Sequence, residues 1–153
     1  MKNQETLKKL AEELFSLMGT KTNVEVSWNE ESESLVVDLD AGDETGLLIG
    51  RKGETLSGIQ LVLAVMLKQK VGEWNRVLVN IGDYREKEED YLKNLAVSAA
   101  ERAKETGEPQ SLYNLKSGQR RIIHMYLSED PEIETESQGE GRDRYLLVKS
   151  KKA

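Results

Sequence analysis

Four consecutive residues near the middle of the chain, Gly50-Arg51-Lys52-Gly53, combine two glycines with two cations, a composition suited to holding a phosphate. Glycines let the backbone approach an anion without Cβ interference, and a helix starting just beyond such a loop adds outward N–H groups and a partial positive charge. With 12 glycines in 153 residues the bare Gly-x-x-Gly spacing carries little weight, and its plain alternative is a helix-turn-helix corner whose glycines solve a tight turn. A second pair, Arg120 and His124, stands four residues apart in a segment of helical periodicity, so the two side chains project from one face one turn apart. That geometry can grip one phosphate, with Arg121 and Lys116 as neighbouring cations; a lone histidine, taken by itself, also suits a satisfied structural role. Glu88-Glu89-Asp90 is a carboxylate run and reads as a solvated helix face, since no histidine accompanies it. The absence of Cys excludes thiolate metal sites, disulfides and Cys nucleophiles, and no acid, base and nucleophile converge at a recognisable spacing. The expectation is a binding protein, not an enzyme, with no cofactor and no metal.

The elements that position these residues follow from hydrophobic periodicity. Leu7, Leu10, Ala11, Leu14, Leu17 and Met18 mark an amphipathic helix closed by Gly19. Val24, Val26 and Trp28 alternate with polar residues, as do Leu35, Val37 and Leu39, with the polar turn Asn29-Glu30-Glu31-Ser32 between them, which predicts a hairpin. A short helical turn over 44–49 leads into the glycine loop, and a helix over about 54–70 follows, with Leu56, Ile59, Leu63, Met66 and Leu67 as its buried stripe. Residues 76–81 form a third strand and Gly82 punctuates it. A long charged helix over 84–104 presents Leu92, Leu95, Ala96, Ala99 and Ala103, small residues that suggest close packing. Thr106-Gly107-Glu108-Pro109 breaks the chain, Ser117 can cap a short helix reaching Leu127, and a last hairpin joins 132–137 to 145–149.

Composition bounds what this can be. With 37% hydrophobic residues and one Phe, the core must be aliphatic and thin. The longest apolar run, 61–67, is seven residues, far short of the roughly 20 that span a bilayer, and the N-terminus lacks a signal-peptide pattern, so the expectation is a cytoplasmic chain without membrane insertion. A net charge of −6 argues against a polyanionic partner, but residues 1–45 carry 11 acids against 4 bases, and the remainder has net charge +1. Between Ser111 and Leu127 the only charges are Lys116, Arg120 and Arg121, and residues 142–153 hold five bases against Asp143, so two local basic patches are expected.

The string Ile49-Gly50-Arg51-Lys52-Gly53-Glu54-Thr55-Leu56-Ser57-Gly58-Ile59, inside the order helix-strand-strand-helix-helix-strand, resembles the type II KH fold over about residues 5–81. In that family the loop clamps a nucleic-acid backbone while bases lie on an apolar groove, for which Leu47, Leu48, Ile49 and Val37 are the candidates here. Gln119-Arg120-Arg121-Ile122-Ile123-His124 resembles the Arg-x-x-x-His domain, a small fold of sheet and helices associated with single-stranded nucleic acids, over about residues 84–150. A KH domain leading directly into such a domain is similar to the Jag (KhpB) family of bacterial RNA-binding proteins, whose members commonly carry a further N-terminal domain and a basic linker. The expected fold is therefore α+β, two small domains in tandem over 1–82 and 83–153. The resemblance implies binding of single-stranded RNA, with single-stranded DNA as a second candidate, through Leu48, Ile49, Gly50, Arg51, Lys52, Gly53, Lys116, Arg120, Arg121 and His124. It also implies post-transcriptional regulation or RNA chaperoning linked to cell elongation and division, and pairing with a small single-KH protein. The rival reading is a protein-protein adaptor in which the sheet edges or the first helix dock a partner and nucleic-acid binding is vestigial.

Overall fold

The computed structural model describes residues 1–152, which divide into two units, Met1–Arg85 and Glu86 onward. In the first, helix α1 (Lys2–Met18) ends at Gly19, whose φ of 75° lets the Thr20 N–H reach back to the Phe15 carbonyl at 3.1 Å. Leu7, Leu10, Ala11 and Phe15 are its buried stripe, while Leu17 and Met18 face water; the core takes the one Phe in their place. Strands β1 (Asn23–Asn29) and β2 (Ser34–Asp40) form the expected hairpin, with Val26 opposite Val37. Its turn is held by the Ser32 N–H donating to Asn29 Oδ1 at 2.9 Å. Helices α2 (Thr45–Ile49) and α3 (Glu54–Val71) follow, and β3 (Val77–Ile81) adds parallel to β2, giving the sheet order β1-β2-β3. Apolar residues of α1, α2 and α3 close over one face of this sheet, burying Leu7, Phe15, Val37, Leu48, Leu63 and Leu67 completely or nearly so.

The second unit is carried by α4 (Tyr84–Thr106), which starts in the first unit and runs two residues beyond the expected Lys104. Leu92, Ala96, Ala99, Ala100 and Ala103 form its buried face, where methyl side chains allow close approach of neighbouring elements. Helix α5 (Ser117–Leu127) contributes Ile123 and Leu127 to the same core. Strands β5 (Ile133–Gln138) and β6 (Tyr145–Ser150) pair antiparallel as expected, and β6 also pairs with β4 (Gln110–Leu112), so the order is β4-β6-β5. Strand β4 has no counterpart in the periodicity: three residues cannot show a period of two, and only pairing with the distant β6 makes them a strand. Ser117 does not cap α5 either. Lys116 holds the capping position, and the Gln119 side chain reaches back to accept its N–H at 2.8 Å. The architecture is α+β, two small domains each with a three-stranded sheet.

Candidate nucleic-acid interface

The 50–53 loop joins α2 to α3 through three residues of positive φ: Gly50 (71°), Lys52 (53°) and Gly53 (73°). Gly50 couples that φ with ψ of −174°, a combination essentially confined to glycine, and a Cβ there would overlap the Thr55 hydroxyl and lie 3.0 Å from the Thr55 nitrogen. Gly53 is buried, and a Cβ there would meet the Tyr84 ring, 3.2 Å from Cζ. The glycines therefore let the loop fold tightly onto the start of α3, whose first turn has no side-chain cap, and Arg51 and Lys52 are left exposed beside those N–H groups. Tight loop, uncapped helix start and two solvated cations together can bind a phosphodiester backbone.

The expected apolar groove is corrected by burial. Leu48 and Val37 are fully buried in the first core and have no surface to give a base; they position the loop from beneath. Leu47 is 68% exposed and Ile49 is half-buried with one side on the core, so these two remain at the surface. Three consecutive apolar residues on one short helix cannot all face the same way, and the core claims the middle one.

In the second unit Arg120 and His124 do share one side of α5, yet each is held by its own partner. The half-buried Arg120 donates from Nη1 to the Leu115 carbonyl at 2.6 Å, pinning the segment ahead of α5. The exposed His124 places Nδ1 against Thr135 Oγ1 on β5. Arg121 and Lys116 are exposed. Glu88 departs from the solvated-face reading: it is half-buried and accepts the Gln119 Nε2–H at 2.8 Å, which ties the start of α5 to α4. Thr135, Gln119 and Glu88 thus orient the pair, and sequence reasoning misses them because each acts across elements.

The basic tail is also partly spent. Lys149 pairs with Glu136 at 3.3 Å, and Lys152 with Glu132 at 2.7 Å. Lys104 meets Asp130 at 2.6 Å and Glu132 at 3.4 Å. These lysines hold the three carboxyls below their ordinary range: Asp130 chiefly through its hydrogen bond from Lys104, Glu132 from Lys152, Glu136 from Lys149. Arg142, Arg144 and Lys151 are the tail cations outside these pairs. Among the described residues no helix is long and apolar enough to cross a membrane, and no His, Asp or Glu cluster could hold a metal ion.

Comparison with known proteins accords with this architecture. Residues 4–81 match the KhpA/KhpB KH domain, and residues 90–150 match the Arg-x-x-x-His domain. Both are binding domains without catalytic machinery. The chain is 32% identical over 155 aligned residues to the RNA-binding protein KhpB of Clostridium symbiosum, covering 99% of this chain and 69% of that protein. It is also 32% identical to the Bacillus subtilis protein of the same name, over 80% of this chain and 60% of the relative. With the Lactiplantibacillus plantarum KhpB the identity is 27%, over 98% of this chain and 47% of the relative, so the chain spans from about half to about two thirds of these proteins. Two domains in this order, with the glycine loop in the first and the Arg-His face in the second, place the chain in the KhpB (Jag) family.

Proposed function

We propose that this chain binds single-stranded RNA, with the 50–53 loop as its principal phosphate clamp and α5 as a second contact. The observation that carries this is the loop itself: positive-φ glycines packed onto an uncapped helix start, with Arg51 and Lys52 exposed beside it. Arg121 and Lys116 supply exposed positive charge on the second domain, His124 offers its remaining ring nitrogen, and Arg120 shapes the segment they flank. Leu47 and the outer edge of Ile49 are the apolar surface for a base. The name shared by the relatives, RNA-binding protein, supports the same reading. Affinity is micromolar, a binding free energy on the order of −8 kcal/mol, and sequence preference is low, because one KH groove reads few bases and the other contacts go to phosphates. The activity serves post-transcriptional regulation or RNA chaperoning in the cytoplasm, linked to cell elongation and division. A small single-KH protein is its partner, and the exposed strip Leu61, Val62 and Val65 on α3 supports such pairing.

The test is a titration of the chain with single-stranded and duplex RNA at several salt concentrations. Phosphate contacts give a steep fall of affinity with salt and preference for the single strand. Equal or tighter binding to duplex refutes the single-strand reading, and affinity independent of salt favours the adaptor alternative. Crosslinking to RNA in cells, with sequencing of what is bound, then identifies the transcripts.

A further inference from the structure

The outer side of the second sheet carries an aromatic pair that neither the glycine loop nor the α5 face uses. Along β6 Leu146 and Val148 face the core, so Tyr145, Leu147 and Lys149 alternate onto the opposite side. Leu112 lies opposite Leu146, and Tyr113, the next residue of the chain, falls beside Tyr145 with ring centroids 5.0 Å apart and planes tilted by 40°. Tyr113 is 61% exposed. Tyr145 is fixed by its hydroxyl, which donates to Gln138 Oε1 at 2.9 Å, and the turn after Tyr113, where Asn114 has φ of 59°, is pinned by the Arg120 bond to Leu115. The rings therefore sit on a pinned frame, Tyr113 largely exposed and Tyr145 half-buried.

Two arginines stand beside the ring pair. Arg144 directly precedes Tyr145 and donates to the Gly139 carbonyl at 3.3 Å, and Arg142 is exposed in the same loop. The same loop carries the exposed Glu140 and Asp143, so the two arginines offer local phosphate contacts and not a net positive patch, while at the far end Lys149 is paired with Glu136. A cross-strand ring pair stabilises a sheet modestly, and an exposed tyrosine ring beside arginines can in addition stack an unpaired base while its phosphates are charge-paired.

We propose that Tyr113 and Tyr145 form a base-stacking platform for the single-stranded RNA bound by this chain, with Arg142 and Arg144 holding the adjoining phosphates; this rests on the RNA-binding function proposed above. The occupant is an unpaired nucleobase of any identity, since every base offers a π face.

The experiment titrates labelled single-stranded RNA with the full chain and with two double variants, Tyr113→Leu with Tyr145→Leu and Tyr113→Phe with Tyr145→Phe. Stacking predicts that the leucine variant weakens binding by about fivefold or more with an unchanged salt slope, and that the phenylalanine variant stays within about twofold of the parent. Thermal unfolding of each variant checks folding, and crosslinking of 4-thiouridine RNA to the unaltered chain, which needs no variant, must mark Tyr113 or Tyr145. If the parent binds RNA while the leucine variant binds as tightly, or the crosslinks fall elsewhere, the platform is overturned and the glycine-loop reading stands. If the parent binds no RNA, both fall together.

Discussion

Gly50→Ala tests whether the tight 50–53 loop is a property of glycine and not of its sequence neighbours. At φ 71° and ψ −174° an alanine occupies a region open essentially to glycine alone, a backbone cost of about 1–3 kcal/mol. The new Cβ also lies 2.7 Å from Thr55 Cβ and 3.0 Å from the Thr55 nitrogen. Thr55 stands in the first turn of α3 beside the buried Leu56, so relief requires shifting a helix backbone anchored in the core. The combined effect is about 3 kcal/mol, a fall of roughly 12–24 °C in the first unit's melting temperature at 4–8 °C per kcal/mol. Gly53→Ala supplies the internal comparison. Its φ of 73° and ψ of 15° are left-handed helical, costing about 1–2 kcal/mol, and its Cβ meets the end of the Tyr84 side chain and not the backbone of a helix. Gly50→Ala is therefore the more destabilising of the two, and Thr55→Ala in its background restores only part of the loss because the Cβ remains. Differential scanning calorimetry, fitted with a separate transition for each unit, measures all three. Equal losses for the two glycines, or less than about 1 kcal/mol for Gly50→Ala, would refute the conformational argument.

Four further outcomes follow from the same geometry. Arg51→Asp combined with Lys52→Asp abolishes binding by the KH domain while stability stays within about 0.5 kcal/mol, because both side chains are solvated; paired RNA titration and melting curves check it, and an unfolded or fully binding variant contradicts it. Arg120→Ala destabilises the second unit by about 1 kcal/mol through loss of the bond to Leu115, whereas Arg121→Ala leaves stability unchanged and lowers the salt slope of RNA binding by about 0.7; the reverse pattern would reassign the two arginines. Leu48→Ala costs about 2–5 kcal/mol of folding, as expected for a fully buried leucine, and a variant that melts like the parent but loses RNA affinity would return Leu48 to the binding surface. Asp130, Glu132 and Glu136 have folded pKa values below their unfolded ones, so their stabilisation is complete above about pH 5 and is lost as the pH falls through the lowered values. Melting temperature against pH should therefore drop on the acid side, and less so for Lys104→Met; an identical acid slope in that variant would show that the Lys104 pairs contribute nothing.

Much of the fold is legible in the chain because it rests on local periodicity. The stripe of α1, the β1–β2 hairpin, the glycine loop between two helices and the small-residue face of α4 each repeat at 3.6 or 2 residues within one segment, or sit between segments that do, and each forms near where the spacing puts it. The same holds for Gly50, Arg51, Lys52 and Gly53, whose types, set between two helical segments, point to a tight turn with exposed cations.

The remainder depends on partners distant in the chain, which spacing does not encode. Strand β4 exists only because β6 offers it hydrogen bonds, and Tyr113 meets Tyr145 only through that register. Which residue of Leu47-Leu48-Ile49 turns inward is decided by where the core closes over α2. Helical spacing puts Arg120 and His124 on one face, but the Leu115 carbonyl and the Thr135 hydroxyl decide where their polar atoms point. The five bases of the tail read along the chain as a uniform patch, and the strand register divides them by setting Glu132 and Glu136 beside Lys152 and Lys149. Local spacing and residue type thus carry which elements form and which side chains have the chemistry to hold a phosphate. Which of those side chains stay available is settled in three dimensions, because burial and charge pairing arise from contacts between segments far apart in the chain.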